Sequence, residues 1–175
     1  MNMRVDASLS GPARGIFDEA NRLMRDGKNA SAATHFKAAS IAYYQEGNLN
    51  SSHQAHHLFG INLRLAGELE KAETGLDSIL YLTKRSNEHE IAYQIANDLA
   101  MVYFDMGNLE KAAYLLETQV GTTLSYEITG LHWAVAVGFL ARVYDAQGKK
   151  TEAMDLYEQA SMALRGRHDV YELNL

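Results

Sequence analysis

The 175-residue chain contains no cysteine and a single proline, Pro12. Without cysteine there is no disulfide scaffold, no Cys-ligated zinc site and no thiol nucleophile. Ordinary proline usage of about 5% would supply roughly nine. A chain this poor in proline has few turns that need it, or consists of long helices that it would break. Cationic residues are outnumbered too: 16 Lys and Arg stand against 22 Asp and Glu, for a formal charge of -6. Binding a phosphate backbone needs clustered Lys and Arg, so no nucleic-acid partner is expected. There is no uninterrupted apolar run of about 18 residues, which predicts no transmembrane helix and no membrane partner. Residues 1–15 contain no apolar stretch of signal-peptide length. These absences predict a cytoplasmic protein, and the length suits one domain with a sizeable core.

What the sequence does contain is repetition. Gly27, Gly67, Gly107 and Gly148 recur at intervals of 40, 40 and 41 residues. Five residues after each stands Ala32, Ala72, Ala112 or Ala153, and nine after it Phe36, Leu76, Leu116 or Tyr157. Four before it stands Leu23, Leu63, Tyr103 or Tyr144, and seven before it the small Ala20, Gly60, Ala100 or Ala141. A glycine adopts the left-handed backbone that ends a helix. Small residues on both sides of the turn let two antiparallel helices approach, and the large ones interlock as ridges and grooves. Spacings of 3, 4 and 7 place Leu99, Tyr103 and Met106 on one stripe and Ala112, Leu116 and Val120 on another.

The prediction is an all-α chain of eight helices in four helix-turn-helix hairpins. First helices are expected near 13–26, 52–66, 91–106 and 132–147, and second helices near 30–46, 69–85, 109–126 and 150–165. Ser51 with Gln54, and Asn87 with Glu90, read as capping boxes. Thr129 or Gly130 opens the fourth hairpin, Gly47-Asn48 makes a turn, and Pro12 stands at a helix start, where its missing N–H is harmless.

This arrangement resembles the tetratricopeptide repeat, whose usual 34-residue unit reads W-x2-L-G-x2-Y, then A-x3-F and P. Phe59-Gly60 with Leu63, Leu99-Ala100 with Tyr103, and Leu140-Ala141 with Tyr144 match its first half, and the Ala/Phe, Ala/Leu and Ala/Tyr pairs its second. The unit here is longer by about six residues and lacks the closing proline, which is similar to the long-unit branch with units of about 40 residues. The stretch A-N-D-L-A-M-V-Y-F-D-M-G-N-L-E-K-A, residues 96–112, resembles that branch in particular. The first unit departs most, with Glu19 where a large apolar residue is usual.

The resemblance implies a right-handed α-solenoid of four repeats, about 13–50, 51–88, 89–128 and 129–165, between an N-terminal extension (1–12) and a C-terminal tail (166–175). It also implies a non-catalytic adaptor that binds a peptide segment of a client protein in a concave groove lined by the first helices. Carried over by position, the groove residues are Asn21, Met24, Gln54, His57, Ile61, Arg64, Gln94, Asn97, Met101, Phe104, Arg142 and Asp145, with Phe17 and Gly138 in the same register. In the long-unit branch an asparagine at the position of Asn97 holds the ligand backbone. The lysine–asparagine pair with which chaperone-binding members grip a C-terminal carboxylate is absent, since Phe17/Asn21, His57/Ile61 and Asn97/Met101 stand there. The length matches the array alone, without an effector domain.

Other chemistries are weaker. His53, His56 and His57 have metal-like spacing, but His56 falls in a column of packing residues and no carboxylate completes a site. Neither a phosphate loop nor a nucleophile elbow occurs, so neither enzyme activity nor a cofactor or metal is expected. The alternative to a peptide adaptor is a self-associating scaffold, a homo-oligomer joined through the ends of the array. The last predicted helix leaves an apolar face that the tail (Val170, Tyr171, Leu173, Leu175) covers by folding back, or that stays open.

Overall fold

One local device, repeated, builds the chain. In the computed structural model, which describes the backbone of residues 11–122 and 130–172 and the side chains of 11–121 and 131–165, a left-handed residue stands at Gly27, Gly47, Gly67, Asn87 and Gly107, and again at Gly148. Each follows a helix. The next residue then closes the helix by donating its N–H five residues back: Lys28 to Leu23, Asn48 to Tyr43, Glu68 to Leu63, Glu88 to Thr83, Asn108 to Tyr103 and Lys149 to Tyr144. These are Schellman closures. That same residue is the N-cap of the following helix, because its carbonyl accepts the first helical N–H, as Lys28 does from Ala32. Three residues therefore suffice to turn one helix into the next.

The helices are α1 (Pro12–Arg25), α2 (Asn29–Gln45), α3 (Leu49–Leu65), α4 (Leu69–Arg85), α5 (His89–Asp105), α6 (Leu109–Thr122), α7 (Gly130–Ala146) and α8 (Lys150–Glu172). Those from α2 to α5 each have 17 residues, so the period of 40 is two 17-residue helices with two three-residue turns. Pro12 occupies the first turn of α1. That N-terminus is capped from a distance, as the Glu46 carboxylate accepts the Ala13 N–H at 3.1 Å. The described residues form helices and turns only, and no described helix is long and apolar enough to cross a membrane.

Three local expectations are corrected. Helix α3 starts at Leu49 rather than near 52, because Asn48 caps it by accepting the Ser51 N–H at 3.1 Å; Ser51 is inside the helix. Asn87 does not cap α5 either: its φ of 59° puts it in the glycine position of the turn, and Glu88 is the N-cap. Asparagine tolerates that conformation where most residues lose about 1–2 kcal/mol. Asn87→Ala is accordingly expected to destabilise by about 1 kcal/mol and Asn87→Gly to be neutral or mildly stabilising in urea unfolding. Third, α8 does not stop near Arg165 but runs on to Glu172, so the tail does not fold back over this span. Gly166 weakens a helix without ending it, and no proline follows. Residues 123–129 and 173–175, including Thr129 and the end of the tail, lie outside the described residues.

Two compact units divide the chain, Met1–Ile79 and Leu80–Leu175, with the boundary inside α4. In the first, α1 packs on α2 and α2 on α3. Its core joins Ala20, Leu23, Ala32 and Phe36 to Leu58 and Phe59, and Ala13, Ala39 and Tyr43 to Ala55. Phe17, expected to face a groove, is part of this core: it meets Phe36 edge-on at 5.5 Å and Tyr43 at 6.0 Å. In the second unit α5 packs on α6, α6 on α7 and α7 on α8, and α5 also meets α7. Tyr93, Ala100, Ala112, Leu116, Ala136, Leu140 and Val143 form its core. The small and large columns are buried as their spacing predicts, Ala20, Ala100, Ala141, Ala32, Ala72 and Ala112 completely. The exceptions are Tyr157, which is 43% exposed, Met106, which caps α5 at the surface, and Tyr103, Tyr144 and Val120, which are half-buried.

Candidate functional site

The candidate residues fall into two groups, one in each unit. In the first unit Asn21 and Met24 are half-buried on α1; on α3, Gln54 is exposed, Ile61 and Arg64 are half-buried, and His57 is buried. Met24 is engaged within the protein, since its Sδ lies 3.6 Å from Asn62 Nδ2, which also donates to the Leu58 carbonyl at 2.9 Å. The neighbouring His56 packs edge-on against Phe59 at 5.5 Å. No group of three or more His, Asp or Glu among the described residues is arranged to hold a metal ion.

Burial, with the Lys37 charge and the His53 ring nearby, holds the His56 imidazole below its ordinary 6.5. The folded state thus favours neutral His56, and the unfolded chain takes up the proton first. The resulting stability is fully present above about pH 6.5 and is lost as pH falls through the folded value. Thermal melts between neutral pH and pH 5 are expected to fall less steeply for His56→Gln than for the parent; parallel curves would contradict this.

The second unit offers the better-defined surface. Helices α5 and α7 lie side by side and run in the same direction. At one end Gln94 Nε2 is 2.9 Å from His132 Nε2, and His132 Nδ1 is 3.6 Å from Glu90 Oε1. At the other, the Arg142 guanidinium sits 5.2 Å from the Phe104 ring centroid and 6.0 Å from that of Phe139. Ten helical residues separate Gln94 from Phe104, about 15 Å of rise. Asn97 and Met101 lie on α5 between them, each 4% exposed. Arg142 and Asp145 are exposed on α7, one turn apart, and Gly138 is half-buried.

Met101 and His57 are core side chains rather than lining ones. Asn97 is equally enclosed but polar, and its Oδ1 is buried without a hydrogen-bond donor. Such an atom costs about 1–3 kcal/mol relative to a paired one. A donor brought in by a ligand would relieve it. The cation–π contacts steady the exposed Arg142, which lowers the entropy lost when it meets a carbonyl or carboxylate.

Glu90 and His132 escaped the sequence reading. They belong to different repeats and to no shared column, and only the pairing of α5 with α7 brings them together. A polar residue on each first helix was the sole available signal, and many others share it.

Comparison with known proteins accords with this architecture. Residues 133–161 match the family model of the tetratricopeptide repeat. No curated protein matches the chain. Among solved structures, BtubC (BKLC) from P. vanneervenii superposes with a TM-score of 0.75 at 15% identity over 87% of this chain, which spans 63% of that one. Nearly identical TPR-like repeats of a Podosopora anserina protein described as a kinesin light chain give 0.70 at 21% identity, covering 91% of this chain and 78% of the other. MamA gives 0.58 at 15% identity, covering 97% and 98%. At these identities the likeness concerns the fold, and the fold is that of the tetratricopeptide repeat.

Proposed function

We propose that this tetratricopeptide-repeat chain is a non-catalytic protein–protein interaction module, an adaptor that takes up a peptide segment of a client protein on its α5–α7 surface. Asn97 carries the reading. A buried side-chain oxygen without a donor, on a helix face flanked by Gln94 and Phe104, is a stability cost that a client's backbone N–H would offset. Arg142, steadied over Phe104, supplies a second anchor for a backbone carbonyl or an acidic side chain. Asp145 and Gln94 extend the polar lining, while Phe104 provides apolar contact. The corresponding residues of α1 and α3 (Asn21, Gln54, Ile61 and Arg64) hold the same register on their own helices. The cysteine-free composition suits a cytoplasmic client.

The test uses a peptide selected from a random displayed library against the parent protein. Its affinity is expected to fall at least tenfold for Asn97→Ala with Arg142→Ala, since each lost hydrogen bond contributes on the order of 1 kcal/mol and more when charged. Tyr114→Ala, at a 73% exposed position on α6, serves as control and leaves affinity unchanged. Selected peptides that bind the double variant as well as the parent would remove this surface from the account.

A further inference from the structure

Helices α2 and α8 hold the same place in their hairpins, α8 lying 121 residues later, and the comparison shows what α8 lacks. On α2 the residues Phe36, Ala39, Ser40 and Tyr43 are buried under their neighbours. Helix α3 covers part of this surface, its Ser52 Oγ donating to the Ser40 carbonyl at 2.9 Å. The same register on α8 reads Tyr157, Ala160, Ser161 and Leu164. Here Tyr157 is 43% and Leu164 44% exposed, and with Arg165 the four line an open cleft of about 380 Å³. Met154, where α2 has the buried Ala33, is 70% exposed. No described residue covers this face.

The opposite end of the chain is built differently. The register of α3 that meets α2 corresponds on α1 to Gly15 and Glu19, beside the exposed pairs Arg14–Asp18 and Arg22–Asp26, both at 3.1 Å. Stacking α1 of another copy on α8 would press a charged ladder onto an apolar cleft, at a desolvation cost without return. Head-to-tail assembly is thereby disfavoured.

The α8 face is instead complementary to itself. Glu158 and Arg165, seven residues apart, stand on one edge of this face, one on each side of Ser161. Ala160 and Ser161 form a small-residue patch between Tyr157 and Leu164 that permits close helix approach. We propose that α8 docks on α8 of a second copy, antiparallel about a two-fold axis near Ser161. Tyr157 and Glu158 of each copy then lie beside Leu164 and Arg165 of the other. One such arrangement satisfies both apolar faces and two Glu158–Arg165 pairs, as an isologous interface requires.

Light scattering and sedimentation of the full chain across a wide concentration range test this. The parent is expected to reach twice the chain mass, and Leu164→Glu to remain a monomer with unchanged helical circular dichroism. Glu158→Arg and Arg165→Glu singly are expected to weaken association roughly tenfold, because each turns two attractions into repulsions. The double exchange restores it. A parent that stays monomeric, as it would if the cleft served a helix of another protein, overturns the proposal. So does a dimer indifferent to Leu164→Glu, or single reversals that the double exchange fails to rescue.

Discussion

Gly60→Val is expected to destabilise the protein by about 3 kcal/mol, at the upper end of what overpacking a core costs. A Cβ built at Gly60 would lie 2.5 Å from both Cγ and Cδ2 of Leu76, far inside van der Waals contact. Leu76 is fully buried, so it cannot swing out into solvent without losing that burial. The pair marks the crossing of α3 with α4, where the chain uses glycine while Ala20, Ala100 and Ala141 stand at the equivalent points elsewhere. A double-mutant cycle makes the cause explicit. Leu76→Ala alone should cost about 2–5 kcal/mol through its cavity. Combined with Gly60→Val it should cost clearly less than the sum, because the valine fills the space that the leucine vacates. Additive effects in urea unfolding would show that the two side chains do not compete for one volume.

Asn97→Leu is expected to act in the opposite direction, raising stability by about 1–3 kcal/mol by removing the unsatisfied buried oxygen at similar volume. For a chain of this length each kcal/mol corresponds to roughly 2–4 °C in Tm. Asn62 supplies the contrast. It too is fully buried with an orphaned Oδ1, but its Nδ2 donates to the Leu58 carbonyl and touches Met24, so Asn62→Leu loses bonds as well as gaining apolar burial. Its net gain should be smaller. If Asn97→Leu melts below the parent, Asn97 holds its helix by a bond within the protein, and the argument for a ligand contact fails with it. A more stable variant that no longer binds selected peptides would place Asn97 among residues kept for function at the expense of stability.

The two cases differ in how visible they were. Gly60 was marked in advance as a member of a small-residue column, because helix crossings constrain residue size at fixed distance from the turn; that Leu76 is what packs against it came from the structure. The special status of Asn97 was suggested by resemblance alone. Its column also contains Phe17, which packs in the core, and His57, which is buried. A position in a repeat specifies a helix face, but the depth of burial there depends on the bulk of neighbours forty residues away. That is why Met101 and His57 were taken for lining residues. It is also why the Glu90–His132–Gln94 contact was missed.

The sequence by itself determined the number of helices, their antiparallel hairpins, the 40-residue period and the turn positions. The turns depend on interactions reaching no more than five residues along the chain, the left-handed glycine and the N–H returning to the carbonyl five back, and the helices and their pairing on apolar stripes and small columns at fixed distances from each turn. Even the errors, Asn87 taken for a cap and α8 ended too early, lie where two local signals compete. Tertiary structure alone decided which polar atom lacks a partner and which apolar face no described residue covers. Both are sums over contacts between helices distant in sequence, and no spacing rule encodes such a sum.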